Sequence, residues 1–489
     1  MSQKLQQLKD KLKRGDQLTL EEIRVSSQEL TCFKDVFTLR RIFEKSFAHT
    51  AVREGKQTKV AIVGGVTLYP LHDLLRFYLD LSGRNFKLFV GEYKNYFQEI
   101  LNTESELYLF APDVVVIVPE PPTEKNQTQD CRDWKDFDQK INEQINNLEG
   151  LCNTLASSLR CNIIVCNSVP SANYGFGNIR GRLPGTDWTT VREFNFQLAR
   201  TLKNEYFLCD LEFLASRCGL KNTFDERFWL ESKNVFSPDF IVEIAKELCR
   251  LIETLKVSMK KCLVLDLDNT LWGGVIGDDG LGGIEIGDLT ARGLAFKRFQ
   301  QEIKKLKDIG VILGIASKNE MSVVLEGLNQ HPDMVLRESD FVCIKANWEP
   351  KSQNIQQMAA ELNLGLDSFV FIDDNPAEIE IVNQFLPDVT TVLLGSDPAD
   401  YVDQLSRLRL FEPFQVTDED KSKTEQYITE SLRAKESISF TNMDEYLKSL
   451  NMEIEFSPFT DLNLPRVVQL INKSNQFNLT ARRRTSPPK

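Results

Sequence analysis

Two apolar runs of the sequence end in closely spaced acidic residues. Asp266 and Asp268 follow the apolar run 262–265, and Asp373 and Asp374 come directly after a second such run. Ligands of open α/β sheets bind at the carboxyl ends of the strands, so we expect the four acids to share one site. Carboxylates this close repel one another unless a cation lies between them, and their hard oxygen atoms suit Mg²⁺. The sequence therefore predicts a metal-binding acid cluster.

Groups that could hold a phosphate lie between the two acid pairs. Ser317 ends a third apolar run, and Lys351 opens a predicted helix after Pro350. A hydroxyl, the backbone N–H groups of a helix start and an ammonium group all donate to phosphate oxygens. Lys318 and Asn319 follow Ser317 and either contact the substrate or cap the next helix. Together with the acids, these groups indicate phosphoryl transfer.

The order of these motifs resembles that of the haloacid dehalogenase superfamily of phosphatases. Asp-x-Asp-x-Thr at a strand end is followed by serine, lysine and Asp-Asp. The longer strings DLDNTLWGGVIGDDG (266–280), SKN (317–319) and FIDDNPAE (371–378) resemble the FkbH-like subfamily more narrowly. That resemblance implies a domain that takes a glyceryl unit from 1,3-bisphosphoglycerate, removes phosphate and loads an acyl carrier protein for polyketide assembly.

The resemblance implies a role for each motif residue. Asp266 would attack phosphorus, and Asp268 would protonate the leaving oxygen and then activate water. Mg²⁺ would be held by Asp266, the Asp268 carbonyl and the Asp373/Asp374 pair, of which Asp374 is favoured as the direct ligand. The groups expected to bind the phosphoryl group are Thr270, Ser317, Asn319 and Lys351. The partners implied are an acyl carrier protein and a small phosphorylated three-carbon substrate.

An acyl transfer could pass through an enzyme thioester, which needs a reactive thiolate. Cys262 is the nearest thiol to Asp266 along the chain, although it lies four residues back on a predicted buried strand. We keep Cys262 as a possible thioester residue. Direct transfer to the carrier thiol is the open alternative.

Composition sets the class of protein and excludes several functions. The chain has 489 residues, a net charge of −12 and three histidines. Its scattered basic residues argue against nucleic acid as a partner, and no apolar run is long enough for a membrane span. Ten cysteines without a C-x-x-C motif fit a reducing compartment. These features predict a cytoplasmic protein of about three domains that does its chemistry with carboxylates.

Short β-rich runs alternate with amphipathic helical stretches in two series. The first series is predicted to have five strands, Val60–Val63, Phe86–Val90, Val114–Val118, Ile163–Val165 and Phe207–Leu211. The second is predicted to have Cys262–Leu265, Val311–Ile315, Phe341–Ile344, Phe369–Ile372 and Thr391–Leu393. This rhythm indicates two consecutive three-layer α/β domains with parallel sheets. The predicted domains are a helical region (1–58), two α/β domains (59–258 and 259–412) and a helical C-terminal region (413–489).

The first α/β domain resembles the Ser-Gly-Asn-His hydrolases, without their catalytic residues. Residues 64–67 read Gly-Gly-Val-Thr where such hydrolases place a serine, and no histidine lies between His72 and His331. We expect no ester hydrolysis by a triad here. Asn167 and Ser168 at a strand end are read as turn residues in preference to a retained pocket. The domain's expected use is docking or shaping the substrate entrance.

The stretch 452–480 resembles the beginning of an acyltransferase-like (GNAT-type) domain, which we expect to be incomplete. Three functions stay open for the whole chain. They are a phosphatase and glyceryltransferase, a phosphatase for another small phosphorylated metabolite, and a non-catalytic scaffold that binds a carrier protein.

Overall fold

A computed structural model describes residues 3–47, 54–122, 133–173, 175–255 and 260–412. These residues divide into two compact units, one ending at Lys260 and the other running from Lys261 to Leu408. The four described residues that follow, 409–412, belong to the first unit. None of the helices in these ranges is long and apolar enough to cross a membrane.

The first unit is built on a parallel five-stranded sheet. Its strands, in chain order, are β1 (Glu54–Gly64), β2 (Arg84–Val90), β3 (Val114–Val118), β4 (Asn162–Cys166) and β5 (Phe207–Cys209). Their order across the sheet is β2-β1-β3-β4-β5. All five β3 residues are buried, as expected for a central strand of a sheet with helices on both faces.

Helices cover both faces of this sheet. They are α1 (Gln3–Arg14), α2 (Leu20–Glu29), α3 (Phe33–Phe47), α4 (Leu71–Leu81), α5 (Tyr96–Leu101), α6 (Glu106–Phe110), α7 (Trp134–Ser158), α8 (Asp187–Thr201), α9 (Leu211–Cys218), α10 (Glu226–Ser232) and α11 (Pro238–Thr254). Val60 and Ile62 of β1 face a core that includes α4, α11 and the N-terminal helices, whereas Ala61 and Val63 face α5, α7 and α8. The N-terminal helices therefore complete one helical layer of this unit.

The second unit repeats the architecture with a different strand order. Its strands are β6 (Cys262–Leu265), β7 (Ile312–Ser317), β8 (Cys343–Ala346), β9 (Phe369–Asp373) and β10 (Thr390–Leu393). They are parallel in the order β10-β9-β6-β7-β8, so β6 lies in the centre between β9 and β7. The helices are α12 (Ile276–Asp279), α13 (Ala291–Asp308), α14 (Met321–Gln330), α15 (Lys351–Glu361), α16 (Pro376–Phe385) and α17 (Tyr401–Leu408).

The predicted fold class of two consecutive three-layer α/β domains after a helical N-terminus is confirmed. One strand is shorter than predicted, because the side chain of Asp210 accepts a hydrogen bond from the Phe213 amide and starts α9 where the strand Phe207–Leu211 was expected to continue. The strands predicted at Val311–Ile315 and Phe341–Ile344 begin and end one or two residues later. The helices, the strand and the acyltransferase-like segment predicted after residue 412 lie outside the described residues.

Candidate active site

Three of the four predicted acids meet at the carboxyl ends of β6 and β9. Leu265 of β6 pairs with Ile372 of β9, so the next residues, Asp266 and Asp373, lie side by side. Asp266, Asp373 and Asp374 each offer a carboxylate oxygen, and these oxygens lie within 4.8 Å of one another. Asp373 is fully buried, and Asp266 is nearly so. The strand register is therefore what assembles the acid cluster.

Lys351 lies between two of these acids. Its Nζ is 2.9 Å from Asp266 Oδ1 and 2.6 Å from Asp373 Oδ2, and only 4% of its side chain is exposed. Three carboxylates and one ammonium group leave a net charge of −2 when all four are ionised. Lys351 thus offsets part of the negative charge of the acids, whereas its predicted contact with a phosphoryl group stays a prediction.

Burial and mutual repulsion perturb the acids of the cluster. Burial, with a contribution from Asp373, raises the pKa of Asp266 to about 6 against the opposing effect of Lys351. Burial also raises the pKa of Asp373 and of Asp374, and the latter is raised further by Asp266. Burial alone would lower the pKa of Lys351, but Asp266 and Asp373 outweigh it and raise that pKa. The cluster therefore has more negative charge than its single lysine neutralises.

A divalent cation fits this donor set. Carboxylate oxygens are the ligands that Mg²⁺ prefers, and the residual charge of −2 would be balanced by one such ion. Asp373 already uses Oδ2 for Lys351 and Oδ1 for the Asn375 amide. Asp374 is half-buried, and no other described residue is seen donating to its carboxylate. This difference favours Asp374 as the more available ligand of the pair, and its direct contact with the metal stays a prediction.

Asp268 lies apart from the acid cluster and is held by three donors. Asp268 Oδ1 accepts from Trp272 Nε1 at 2.9 Å and from the Ile276 amide at 3.0 Å, and Oδ2 accepts from Asn319 Nδ2 at 2.8 Å. Among the described residues, its carboxylate is not one of the grouped metal-ligand candidates. The expectation of Asp268 as a ligand therefore rests on its carbonyl oxygen, and its side chain is positioned for another task.

The predicted phosphate-binding residues divide into two groups. Ser317 and Asn319 are both buried, and Asn319 Nδ2 donates to Ser317 Oγ at 3.2 Å as well as to Asp268. Helix α14 has Glu320 as its N-cap residue, so Asn319 does not cap it. Thr270 is fully buried, and its hydroxyl has no hydrogen-bond partner among the described residues. Asn319 thus connects two predicted functional residues, and Thr270 keeps an unused hydroxyl beside them.

Cys262 is not brought to the acid cluster. It opens β6 and is fully buried, and burial raises the pKa of its thiol far above the usual range. Four residues of extended chain, about 13 Å, separate it from Asp266. A buried, protonated thiol is a poor nucleophile. The geometry therefore disagrees with a thioester at Cys262.

Two functional contacts were missed or left undecided by the sequence. Trp272 is fully buried, and its indole N–H donates to Asp268. Lys318 forms an ion pair with Glu378, which the sequence interpretation did not mention. The SKN and FIDDNPAE strings contain both partners, but no local pattern shows that residues 60 positions apart meet.

The first unit lacks room for a nucleophile at the end of β1. A Cβ atom on Gly65 would lie 2.1 Å from Glu120 Cγ, and one on Gly64 would lie 2.5 Å from the Val118 carbonyl oxygen. Asn167 Oδ1 accepts from the Leu211 amide at 2.6 Å, while its amide group donates to Asp210. These contacts connect the end of β4 to the start of α9, which fits the turn interpretation of Asn167.

Known proteins resemble this chain both in its first α/β unit and in its phosphatase-like unit. Residues 59–253 match the family model described as the FkbH N-terminal domain. A crystal structure of the N-terminal part of BF1531 from Bacteroides fragilis, which contains a phosphatase domain and is complexed with Mg, is 28% identical. The match covers 81% of this chain and 100% of that chain, with a TM-score of 0.66. No curated protein matches significantly.

Two esterases show a weaker likeness. A mutant of Axe2, an acetyl-xylooligosaccharide esterase from Geobacillus Stearmophilus, has a TM-score of 0.30 at 12% identity, over 41% of this chain and 95% of that one. A GDSL-like lipase from Bacteroides thetaiotaomicron has a TM-score of 0.28 at 11% identity, over 44% of this chain and 98% of that one. These scores are too low to say anything about activity. Residues 59–253 thus match the FkbH N-terminal domain family, and the second α/β unit has a haloacid dehalogenase-like fold.

Proposed function

We propose that this protein is an Mg²⁺-dependent phosphatase and glyceryltransferase that acts on 1,3-bisphosphoglycerate and loads an acyl carrier protein. The observation that carries the phosphatase part is the acid cluster of Asp266, Asp373 and Asp374 with Lys351 between two of its members. The likeness to the BF1531 structure, described as a phosphatase domain complexed with Mg, supports the same chemistry. The glyceryl and carrier parts rest on the FkbH family match.

Asp266 and Asp374 would hold the metal, with Asp373 as the third carboxylate and the Asp268 carbonyl as a further ligand. When bound, Mg²⁺ would offset the negative charge of the phosphate and the acids. Lys351 contacts both Asp266 and Asp373 and so reduces the electrostatic repulsion between their carboxylates. This arrangement would let an anionic substrate approach a carboxylate nucleophile.

Asp266 would attack phosphorus through a carboxylate oxygen, forming an aspartyl-phosphate as the bond from phosphorus to the leaving oxygen breaks. Asp268 would donate a proton to that oxygen and later take one from the attacking water. Its Oδ1 accepts two hydrogen bonds and its Oδ2 only one, so the lone pair left for proton transfer is on Oδ2. Asn319 and Trp272 thus direct the carboxyl group of Asp268.

The two phosphates of 1,3-bisphosphoglycerate differ in reactivity, and each would be removed by a different reaction. The phosphate ester at C3 would leave by hydrolysis at Asp266. The acyl phosphate at C1 would leave when the carrier thiol attacks the carbonyl carbon, so that the C1–O bond breaks and a thioester forms. Ser317, Thr270 and Lys351 would contact the phosphoryl group at Asp266. We also propose that the protein works in the cytoplasm, where phosphorylated intermediates and reduced thiols occur together.

The test combines phosphate release with the mass of the carrier. The purified protein is incubated with Mg²⁺, 1,3-bisphosphoglycerate and a holo acyl carrier protein, and the carrier is weighed by mass spectrometry. We expect phosphate release that stops in EDTA and a carrier heavier by one glyceryl group. Asp266→Asn should reduce release of the C3 phosphate at least about a thousandfold, since the nucleophile is lost, whereas release of the C1 phosphate to the carrier thiol does not need Asp266.

Asp388→Asn is the matched control, because Asp388 is exposed between α16 and β10. It should retain wild-type turnover. Phosphate release without a glyceryl mass on any cognate carrier would favour the alternative of a phosphatase for another small metabolite. Release of the C3 phosphate retained by Asp266→Asn would contradict the nucleophile assignment. No phosphate release from any substrate would leave a carrier-binding scaffold as the better description.

A further inference from the structure

A second lysine reaches across the active-site end of the sheet in the second unit. Lys318 follows Ser317 at the end of β7, and its Nζ lies 2.5 Å from Glu378 Oε1. Glu378 belongs to α16, four residues after Asp374. Strands β7 and β9 flank β6, so the ion pair joins the loops on either side of the strand that ends at Asp266. With neighbouring strands about 4.8 Å apart, these loops lie about 10 Å from each other.

The two partners of this ion pair have different surroundings. The Glu378 side chain is only 9% exposed, and its Oε2 has no hydrogen-bond partner among the described residues. The Lys318 side chain is 41% exposed and can therefore be reached by a solute. Lys351, in contrast, is 4% exposed and already contacts two carboxylates. Lys318 is thus a partly exposed cation at the same end of the sheet as the acid cluster, and it could exchange its partner for a ligand.

We propose that Lys318 forms a subsite for a second anionic group of the substrate, taking its ammonium group from Glu378 to the ligand. The subsite rests on the proposed function, in which the phosphoryl group to be transferred lies at Asp266. A three-carbon substrate with an anion at its other end would extend from the acid cluster towards Lys318. The chemical class selected is therefore a short phosphate ester with a second phosphate or a carboxylate.

The ion pair with buried Glu378 determines how strongly Lys318 would prefer an anionic substrate end over a neutral one. While Lys318 is unliganded, Glu378 neutralises it. A ligand anion must replace that contact, so a neutral substrate end gains nothing from Lys318. Discrimination then arises from one charge-assisted contact, which is typically worth about tenfold or more in affinity.

The test compares the binding of two ligands that share a phosphate ester and three carbons. 3-Phosphoglycerate carries a carboxylate where glycerol 3-phosphate carries a hydroxymethyl group. Dissociation constants are measured by calorimetry with Mg²⁺ in the Asp266→Asn protein, which prevents turnover. We expect 3-phosphoglycerate to bind at least about tenfold more tightly, and Lys318→Met to reduce that ratio to about one. Glu378→Gln, which removes the competing charge, should raise the ratio about threefold.

Lys305→Met is the matched control, because Lys305 is a 71% exposed lysine of α13 paired with Glu302. It should leave the ratio unchanged, and circular dichroism confirms that each variant is folded. The subsite is contradicted if Lys318→Met keeps the preference, if it weakens both ligands equally, or if no preference exists while Lys318 is present. Failure of the proposed function is read separately, from absent phosphate release by the wild-type protein.

Discussion

At the scale of single residues, the partners of each acid distinguish the roles of the acids in the site. Lys351 is the one ammonium group found in contact with Asp266 and Asp373 among the described residues. Asp268 has three donors and lies outside the acid cluster. The acids in the cluster thus remain short of positive charge, whereas the Asp268 carboxylate is held by neutral hydrogen-bond donors. This contrast separates a metal-binding group from a proton-transfer group.

Lys351→Met removes the cation from the cluster without changing the length of the side chain greatly. We expect the free energy of unfolding in EDTA to fall by about 3 kcal/mol, because two buried carboxylates lose their partner. Saturating Mg²⁺ should recover part of this loss, since the ion supplies the missing charge. Urea unfolding with and without Mg²⁺ measures both effects. Equal stability of Lys351→Met and the control Lys305→Met in EDTA would contradict the charge balance described here.

At the scale of elements, the loop between β6 and α13 determines where Asp268 is held. The Ile276 amide donates to Asp268, and the preceding Val275 amide donates to Asp279 Oδ2 at 2.8 Å. Gly274 allows this turn because its φ is +91°, a conformation that side chains rarely adopt. A Cβ atom there would lie 2.7 Å from Asp279 Oδ2. The glycine is therefore needed for the backbone geometry of this turn.

Gly274→Ala should destabilise the second unit by about 1–2 kcal/mol, because alanine is strained at positive φ. It should also slow phosphate release, since Ile276 would no longer hold Asp268 in place. Gly282→Ala in the same loop is the control, with no atom within 4 Å of its added Cβ and no positive φ. Thermal unfolding and phosphate release measure the two effects. If both variants behave alike, the loop is not constrained at Gly274.

At the scale of the whole molecule, each unit has its own core and the chain returns to the first unit after α17. Within that unit, Glu247 of α11 accepts from Arg409 and from Arg250, whose Nη2 is 2.8 Å away. Arg250 also contacts Glu412 at 2.9 Å. Burial would raise the pKa of Glu247, but the hydrogen bonds from Arg250 and Arg409 outweigh it and lower that pKa. Residues 409–412 are thus attached to α11 by charge.

Glu247→Gln should lower the stability of the first unit at pH 7 by about 1–3 kcal/mol. Because the folded pKa of Glu247 is lower than its unfolded value, its contribution is complete above the unfolded pKa of about 4.3 and is lost as the pH falls through the folded value. The difference between wild type and variant should therefore shrink below pH 4.3. Urea unfolding across this range measures it. Glu44→Gln, which removes a 52% exposed carboxylate paired with Arg40, is the control and should change the stability by less than about 1 kcal/mol.

The sequence by itself determined the elements of the sheets and the chemistry at their ends. The apolar runs of β3 and β6 predicted the bounds of these strands correctly, since a continuous apolar run is a local property of the sequence. The placement of Asp266 and Asp373 after two such strands predicted that they meet, because parallel strands end at one edge. The N-cap at Asp210 shortened β5, because a side-chain hydrogen bond outweighed the apolar pattern.

Tertiary structure decided which side chain contacts which acid. Lys351 lies between Asp266 and Asp373, Asn319 and Trp272 hold Asp268, and Lys318 reaches Glu378. These pairs join different strand ends, and their choice depends on the strand order of the sheet and on burial, which no local pattern contains. Cys262 illustrates the same limit of sequence reasoning. It is close to Asp266 along the chain, but the two residues lie at opposite ends of β6, about 13 Å apart.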